Sequence, residues 1–479
     1  MTIKINPEVA AVDDMQLTTA KLERIQLSGP IANLGDLARQ ALDANVSNIW
    51  VLPGSRLSQA ADKTFIESAG EEWDVFASYS RMEGNRPMFA RIWKRNTPGW
   101  AGRTVYVGFP EWGTWPWMCP DVVTLLATVS YIESALGLPV LWSPGRMALD
   151  LLKALNLEKR ASWLSPLSTD LRTLPTNGGK TLPIMKCARD LTWKRELTAR
   201  EKKMKWVHKY DKNSMYLAAA TGLLVGEGDP EHVEGDAFDE RLPGIWRIHA
   251  ERADSLYDSV TLPSPARMEW LTTAMVTCAI KMSYQVQVLE GYQWNKQGMY
   301  HRTLESWANT LWAVRQSLKP TSPTFELAFK HSQGRENAYN TIGAIAHVGI
   351  GKLGDEDTSG GLYRPDMWAL TVGRACANIF HNIESIRKTT GLTPVLVYTD
   401  SLWYVSNDQD PETAVPGIID KQDKLGGYKV VYNQPLAMSK AVIDAFAKVD
   451  SPTKLVRMLN VLAGEDDTIV EKATAEVGI

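Results

Sequence analysis

Residues 396–404 read LVYTDSLWY. Two apolar runs flank the polar pair Thr399-Asp400. A two-residue polar step between apolar runs predicts a β-hairpin with the pair at its tip. Asn-Gly or Asp-Gly is the favoured chemistry for such a tip. Thr-Asp is not of that kind. Asp400 is therefore either an ordinary turn former or a carboxylate held at the tip for chemistry.

Asp211 has a matching setting. It closes the apparent strand KMKWVHKY (203–210), and DKNSMYLAAATG follows as a strand end turning into a helix. A strand end aims its side chain into the space above a sheet. Two such Asp residues from different strands can converge on a pair of divalent cations. Two-metal phosphoryl transfer asks the protein for hard oxygen ligands and little else.

The chain around this pair is ordinary in composition. Its 479 residues suggest two to four domains, and 44% hydrophobic with 22% charged residues is a globular balance. No run of 18 apolar residues predicts a membrane span. The opening MTIKINPEVAAVDD lacks the pattern of a secretory signal. Cys119, Cys187, Cys278 and Cys376 stand far apart with no CxxC pair, so no zinc knuckle is implied and a reducing cytoplasm is expected. Net charge is −3, yet residues 186–212 carry ten Lys and Arg against four Asp and Glu. Such a stretch is either a phosphate-facing patch or a solvated linker face. The acidic C-terminal stretch GEDDTIVEKATAEVGI reads as peripheral.

Read along the chain, residues 1–30 suggest a loosely attached helical lead. A helix follows over 33–45 with Asn45 as its terminator, and NIWVLPGS (48–55) reads as strand and turn. WDVFASYSR and PMFARIWKR form a strand pair around MEGNR, RTVYVGF is another strand, and residues 119–137 are a helix stopped by Gly137. PVLWSPG reads as a strand and MALDLLKALN as a helix. Alternating strands and helices predict an α/β domain over 1–160. A Ser-, Thr-, Pro- and Gly-rich linker follows it. Further on, helices are expected up to 282, over 301–318, across most of 323–354, and over 364–391 with Asp366 as cap and Gly391 as stop.

The order and wording of the motifs sharpen this picture. YDKNSMY resembles motif A of family B DNA polymerases, D-x-x-S-L-Y-P, and VYTDSLWY resembles their motif C, D-T-D-S. IGKLG resembles the end of motif B, K-x3-N-S-x-Y-G-K. The match is best to the protein-primed phage and plasmid branch and covers about residues 200–440. It implies an α/β (α+β) right-hand polymerase. Residues 1–160 would be a degenerate RNase H-like, exonuclease-type domain and 161–200 a basic linker. Palm would cover 201–260 and 355–435, fingers 261–354, and a reduced thumb 436–479.

The resemblance also implies roles. Asp211 and Asp400 would be the catalytic carboxylates holding two Mg²⁺ or Mn²⁺ ions, with the main-chain carbonyl of Lys212 as third ligand. Asp400 takes the second Asp of D-T-D, and Tyr398 stands at the first. Tyr216 would lie under the deoxyribose, or else be a core Tyr. Asn213 and Ser214 open a helix whose N–H groups can meet triphosphate oxygens. Thr399, Gly351, Lys352 and Lys440 would lie near DNA.

Departures are equally specific. The motif B Lys, Asn and Tyr fall on Gly343, His347 and Ile350. Arg335 and His347, on one helix face with 339 and 343, are the inferred substitutes, with a solvated Arg335 as the alternative. Glu111 and Asp150 are all that the N-terminal domain offers of a 3′→5′ exonuclease carboxylate set. Trp100, Trp112, Trp115, Trp117 and Trp142 are expected to pack, with stacking on single-stranded bases as the alternative.

The partners implied are primer–template DNA, dNTPs and a terminal or priming protein, with no membrane. The implied function is replication of a mobile element, plasmid or phage without proofreading. Two alternatives stand beside it: a catalytically weak or inactive polymerase-derived replication protein that binds DNA or a terminus, and an unrelated two-metal nuclease carrying further carboxylates. Little room is expected between motif A and the fingers for the insertions that protein-primed polymerases use.

Overall fold

A computed structural model describes residues 9–14, 16–80, 85–95, 104–112, 115–117, 119–141, 143–157, 164–165, 167, 191–252, 270–296, 300–320, 331–359, 361–419, 424–432 and 434–464. Expectations for the linker at 168–190, for Trp100 and Trp142, and for the acidic stretch beyond 464 fall outside these residues. The chain divides into two compact units, Met1–Leu151 with Thr310–Gly349, and Leu152–Asn309 with Ile350–Ile479. No helix among the described residues is long and apolar enough to cross a membrane.

The first unit is built on a seven-stranded sheet. Its strands are β1 (Val9–Asp13), β2 (Gln16–Thr19), β3 (Arg24–Gln26), β4 (Asn48–Val51), β5 (Trp73–Tyr79), β6 (Pro87–Lys94) and β7 (Thr104–Gly108). They lie in the order β3-β2-β1-β4-β7-β6-β5. β1, β4 and β7 run parallel, and the other pairings are antiparallel. The expected β5–β6 pair and β7 are therefore present. The helical lead is not: described residues 9–26 form three strands. Val9–Val12 are buried throughout, as a central parallel-paired strand requires, so the alternation that would mark a strand is missing.

The helix Leu34–Asp43 turns Leu34, Leu37, Ala38 and Ala41 onto Val12, Val51, Ile92 and Val107. The Asn33 side chain caps it by accepting from the Asp36 N–H at 3.0 Å. Asn45, just beyond its end, takes a φ of 57° as the expected terminator. Asp121 caps the helix Val122–Leu136, and Gly137 closes it at a φ of 68°. PVLWSPG is not a strand in its described residues; the next helix already begins at Pro144.

The second unit holds β8 (Thr192–Lys194), β9 (Trp206–Lys212), β10 (Val225–Gly226), β11 (Glu231–Glu234), β12 (Gly244–Arg252) and β13 (Trp270–Thr272). After these come β14 (Tyr284–Gln293), β15 (Tyr300–His301), β16 (Leu396–Tyr398), β17 (Ser401–Ser406), β18 (Tyr428–Val430) and β19 (Leu436–Ala437). Its central sheet runs β18-β9-β17-β16-β8, with β19 also on β9. A second, antiparallel sheet runs β11-β14-β12-β13. That sheet corrects one expectation: the helix expected up to 282 begins only at Thr273, after β13.

One face of the central sheet is covered by the C-terminal helices. Val207, Leu396, Trp403 and Val405 pack against Val442, Phe446, Leu455 and Leu459 of the helices Lys440–Lys448 and Pro452–Leu462. The 26-residue helix Pro365–Thr390 packs on the helices Met215–Ala220 and Thr273–Lys281. The approach is close at Gly373, where a Cβ would stand 2.1 Å from Thr272 Oγ1.

Gly391 stops the long helix at a φ of 73°, as expected, but Asp366 is not its cap. Arg364 holds the N-cap position, and Asp366 forms a fully buried ion pair with it at 2.6 Å. The same guanidinium donates to the Gly226 carbonyl at 2.5 Å, tying the helix start to β10. Asp366→Ala would strand a buried cation, so it should cost about 3–5 kcal/mol of stability in urea unfolding. A loss below about 1 kcal/mol would show that the pair holds nothing together.

Candidate active site

The apolar–polar–apolar stretch at 396–404 forms the expected hairpin. Tyr398 pairs with Ser401, leaving Thr399-Asp400 as a two-residue loop. Thr399 takes a φ of 51°, a conformation disfavoured for a β-branched residue. Its hydroxyl donates to Asp400 Oδ1 at 3.1 Å. A β-branched residue held in this conformation at a carboxylate-bearing tip is the kind of local strain that clusters at functional sites.

The pairing of β17 with β9 sets Ser401 opposite Asp211, which brings the two Asp residues together from distant parts of the chain. The Ser401 hydroxyl donates to Asp211 Oδ1. The Lys212 N–H donates to the Asp400 carbonyl at 3.0 Å, locking the strand end to the hairpin tip. Burial, reinforced by the Asp211 charge, pushes the Asp400 carboxyl up to about 7. A buried carboxyl whose proton affinity is raised by a neighbouring carboxylate is a natural place for a cation.

Side-chain alternation sends Lys212 to the other face of the strand. There its ammonium donates to Asn382 Oδ1 at 3.1 Å and lies 4.6 Å from the Tyr428 ring centroid. Burial lowers the Lys212 amine to about 8, and Asp400 opposes that shift. Burial and then the neighbouring charged groups, both Asp residues included, raise the Tyr428 phenol well above its ordinary value.

Asn213 exchanges main-chain hydrogen bonds with the loop before β18, donating to Gly427 O at 2.8 Å and accepting from Gly426 N at 2.9 Å. Ser214 holds the N-cap position of Met215–Ala220 at a φ of 49° and makes no side-chain cap bond. Tyr216 is half-buried on that helix, and so is not a fully enclosed core Tyr. The second unit thus gathers Asp211, Lys212, Asn213, Ser214, Tyr216, Thr399 and Asp400 around one strand end and one hairpin tip.

Gly351 and Lys352 sit in the last turns of the helix Ser332–Leu353, where Lys352 Nζ donates to Thr358 Oγ1 at 2.7 Å. Lys440 is exposed at the start of its helix. Arg335 and His347 belong to the part of the long helix in the first unit. His347 is exposed. The Arg335 guanidinium donates to the carbonyls of Leu318, Ser317 and Lys319 at 3.1, 2.9 and 2.9 Å. That caps the C-terminal end of the helix Glu305–Leu318, where carbonyls lack partners in the helix. The cap engages Arg335 through Nε and Nη2.

Arg315 lies beside Gly343. A Cβ built on Gly343 would lie 3.6 Å from Arg315 Cζ, and the Arg315 guanidinium stacks 4.6 Å from the Tyr339 ring centroid.

The basic stretch is divided between buried and exposed cations among its described residues. Arg195 pairs with Glu201 at 2.6 Å in a nearly buried contact, and Lys209 and Lys212 are buried. Arg200, Lys202, Lys203 and Lys205 remain exposed, while Lys186 and Arg189 lie outside the described residues. In the first unit, Glu111 accepts from Gly54 N, Ser58 Oγ and Gln59 Nε2 at 2.9, 2.5 and 2.7 Å. Asp150 pairs with Arg146 at 3.1 Å. Both carboxylates thus have structural partners. Trp115 and Trp117 pack on each other and on Trp50, and Trp112 Nε1 donates to Ser58 O at 3.2 Å, which favours packing over base stacking. The nuclease alternative asked for further metal-binding carboxylates. Among the described residues, no group of three or more His, Cys, Asp or Glu comes together in a way that could hold a metal.

No protein-family model and no curated protein matches the sequence. Solved structures do. Phi29 DNA polymerase complexed with primer-template DNA and incoming nucleotides is matched at a TM-score of 0.54 and 13% identity, over 90% of this chain and 87% of that one. Its post-translocation binary complex gives 0.54 and 13% over 90% and 86%. Its orthorhombic crystal form gives 0.51 and 13% over 91% and 85%. At that identity the likeness is one of fold. The chain has the mixed α/β fold of Phi29-type family B DNA polymerases, and the resemblance read in the motifs holds at that level.

Proposed function

We propose that this chain is a DNA-directed DNA polymerase replicating a mobile element, plasmid or phage without 3′→5′ proofreading. One observation carries the reading. On a fold of this type, the register of β9 with the β16–β17 hairpin brings Asp211 and Asp400 together, as motifs A and C require. The parallel β1–β4 pair beside the antiparallel β1, β2 and β3 supports an RNase H-like reading of the N-terminal domain. Glu111 and Asp150, engaged elsewhere, support its lack of proofreading. On this reading the palm would cover 201–260 and 355–435, the fingers 261–354 and a reduced thumb 436–479.

The donor set suits a hard divalent cation. Asp211, Asp400 and the carbonyl of Lys212 offer only oxygen, and Mg²⁺ is commonly held by one or two carboxylates plus substrate phosphates. Bound there, Mg²⁺ or Mn²⁺ ions would activate the primer 3′-OH and neutralise charge on the leaving pyrophosphate. The chain's own groups do the positioning. Tyr216 fills the space that a 2′-OH would need. The N–H groups after Asn213 and Ser214 meet triphosphate oxygens. Arg315, with His347, supplies the charge that Gly343 lacks. Thr399, Gly351, Lys352 and Lys440 face primer and template. A terminal protein is the candidate primer, and the cytoplasm the expected place of work.

Extension of a labelled primer–template with four dNTPs and Mg²⁺ or Mn²⁺ tests the reading. DNA binding without extension would favour the inactive, polymerase-derived protein instead. Arg315→Ala should raise the KM for dNTPs about tenfold or more, since charge-assisted contacts to phosphate are strong ones. An unchanged KM would leave Arg315 as packing on Tyr339.

A further inference from the structure

The first unit contains a contact that nucleotide chemistry does not by itself require. The segment Thr310–Gly349, which carries most of the motif B helix, belongs to the same compact unit as the N-terminal sheet. Its seat is the helix Val122–Leu136 with the residues just before it. At Gly334 the two helices nearly touch: a Cβ there would stand 2.7 Å from Ala127 Cβ and 3.1 Å from the Thr128 nitrogen. One turn on, Asn337 is 1% exposed, and its Nδ2 donates to Thr128 Oγ1 at 3.2 Å and Cys119 Sγ at 3.5 Å. Thr341, fully buried, accepts from Trp117 Nε1 at 2.6 Å. At the helix start, His331 Nδ1 accepts from the Gly334 N–H at 3.0 Å, while Nε2 lies 3.4 Å from Thr124 Oγ1.

Buried polar contacts of this kind fix a register, because every displaced partner is left unsatisfied. An apolar interface would let the helix slide or rotate at lower cost. Gly343 and His347 lie on the same helix, two to three turns beyond Asn337. A shift at Asn337 is therefore carried to them along a rigid element.

We propose that the N-terminal α/β layer, having lost proofreading, serves as the seat of the motif B helix, with Asn337 as a positioning residue held by Thr128 and Cys119. The part of this that concerns nucleotide affinity rests on the polymerase reading. It accounts for a domain whose carboxylates are tied up in local structure and whose buried polar groups point at the motif B helix.

The test sets both sides of the contact against a remote core change. Thr128→Val and Asn337→Leu should each raise the KM for dNTPs about tenfold, with kcat within about twofold and primer–template affinity unchanged. Thr128→Ser keeps the hydroxyl and should behave as wild type. Leu37→Ala, in the opposite core of the same unit, should lower the melting temperature at unchanged KM. An unchanged KM in Thr128→Val and Asn337→Leu, or an equal rise in Leu37→Ala, would overturn the positioning role. Amide hydrogen exchange reads the seat without any catalysis. Residues 335–349 should exchange faster in Thr128→Val than in wild type. If wild type extends no primer, the polymerase reading fails, yet faster exchange still supports the seat and unchanged exchange refutes it.

Discussion

Asp400→Asn is expected to reduce nucleotide addition by about a thousandfold or more while primer–template affinity stays near that of wild type. The carboxylate is held in place three ways: by the hairpin tip, by the Thr399 hydroxyl, and by the hydrogen bond from Lys212 N–H to its own carbonyl. Asparagine keeps the size and the main-chain bond but offers a neutral oxygen to a divalent cation. Losing several kcal/mol of transition-state stabilisation corresponds to three or more decades in rate, at 1.36 kcal/mol per decade. The fold should not suffer. Asp211 and Asp400 repel one another, so the metal-free variant should melt at or above the wild-type temperature near pH 8. Unchanged extension by Asp400→Asn would place the activity elsewhere. Loss of activity together with a collapsed melting temperature would mean that the carboxylate is structural.

Tyr216→Val should raise ribonucleotide incorporation by orders of magnitude and lower dNTP use only modestly. A ring beneath the sugar acts by volume, so all four ribonucleotides should benefit alike. A steric clash of several kcal/mol, at 1.36 kcal/mol per tenfold, sets the scale. The half-buried position of Tyr216 leaves part of its ring available to a ligand. A core tyrosine would behave differently: truncation would cost about 3–5 kcal/mol of stability and reduce all substrates in proportion. The ratio of rNTP to dNTP incorporation, read beside thermal melting, separates the two outcomes. A fallen melting point at constant ratio would remove Tyr216 from the site.

The heart of the candidate site could be read without coordinates because its signals are local. LVYTDSLWY encodes its own hairpin through the apolar–polar–apolar step, and WVHKYDK its own strand end. Elements whose signals are tertiary could not be read this way. Val9–Val12 is Ala-rich and buried on both faces, so helix propensity and strand burial point in opposite directions. β14 carries an alternating Gln285-Val286-Gln287-Val288 run, but it lies between stretches with strong helical spacing. Arg335 looked like a helix-face cation, and only the placement of residues 317–319 turns it into a cap. Arg315 needed the same kind of knowledge: which side chain lies beside Gly343.

The interleaving of the two units has a consequence for how the chain is made. The first unit needs residues 310–349, which leave the ribosome only after the intervening 152–309. At roughly 5–20 residues per second, that separation amounts to about ten to thirty seconds of synthesis. Throughout that interval Thr128 and Cys119 await Asn337, and Ala127 awaits Gly334. Contacts so distant in sequence form slowly and leave surface open to aggregation meanwhile. A nascent chain arrested near residue 300 should therefore expose the helix Val122–Leu136 to protease and to chaperones, and one arrested well beyond residue 350 should protect it.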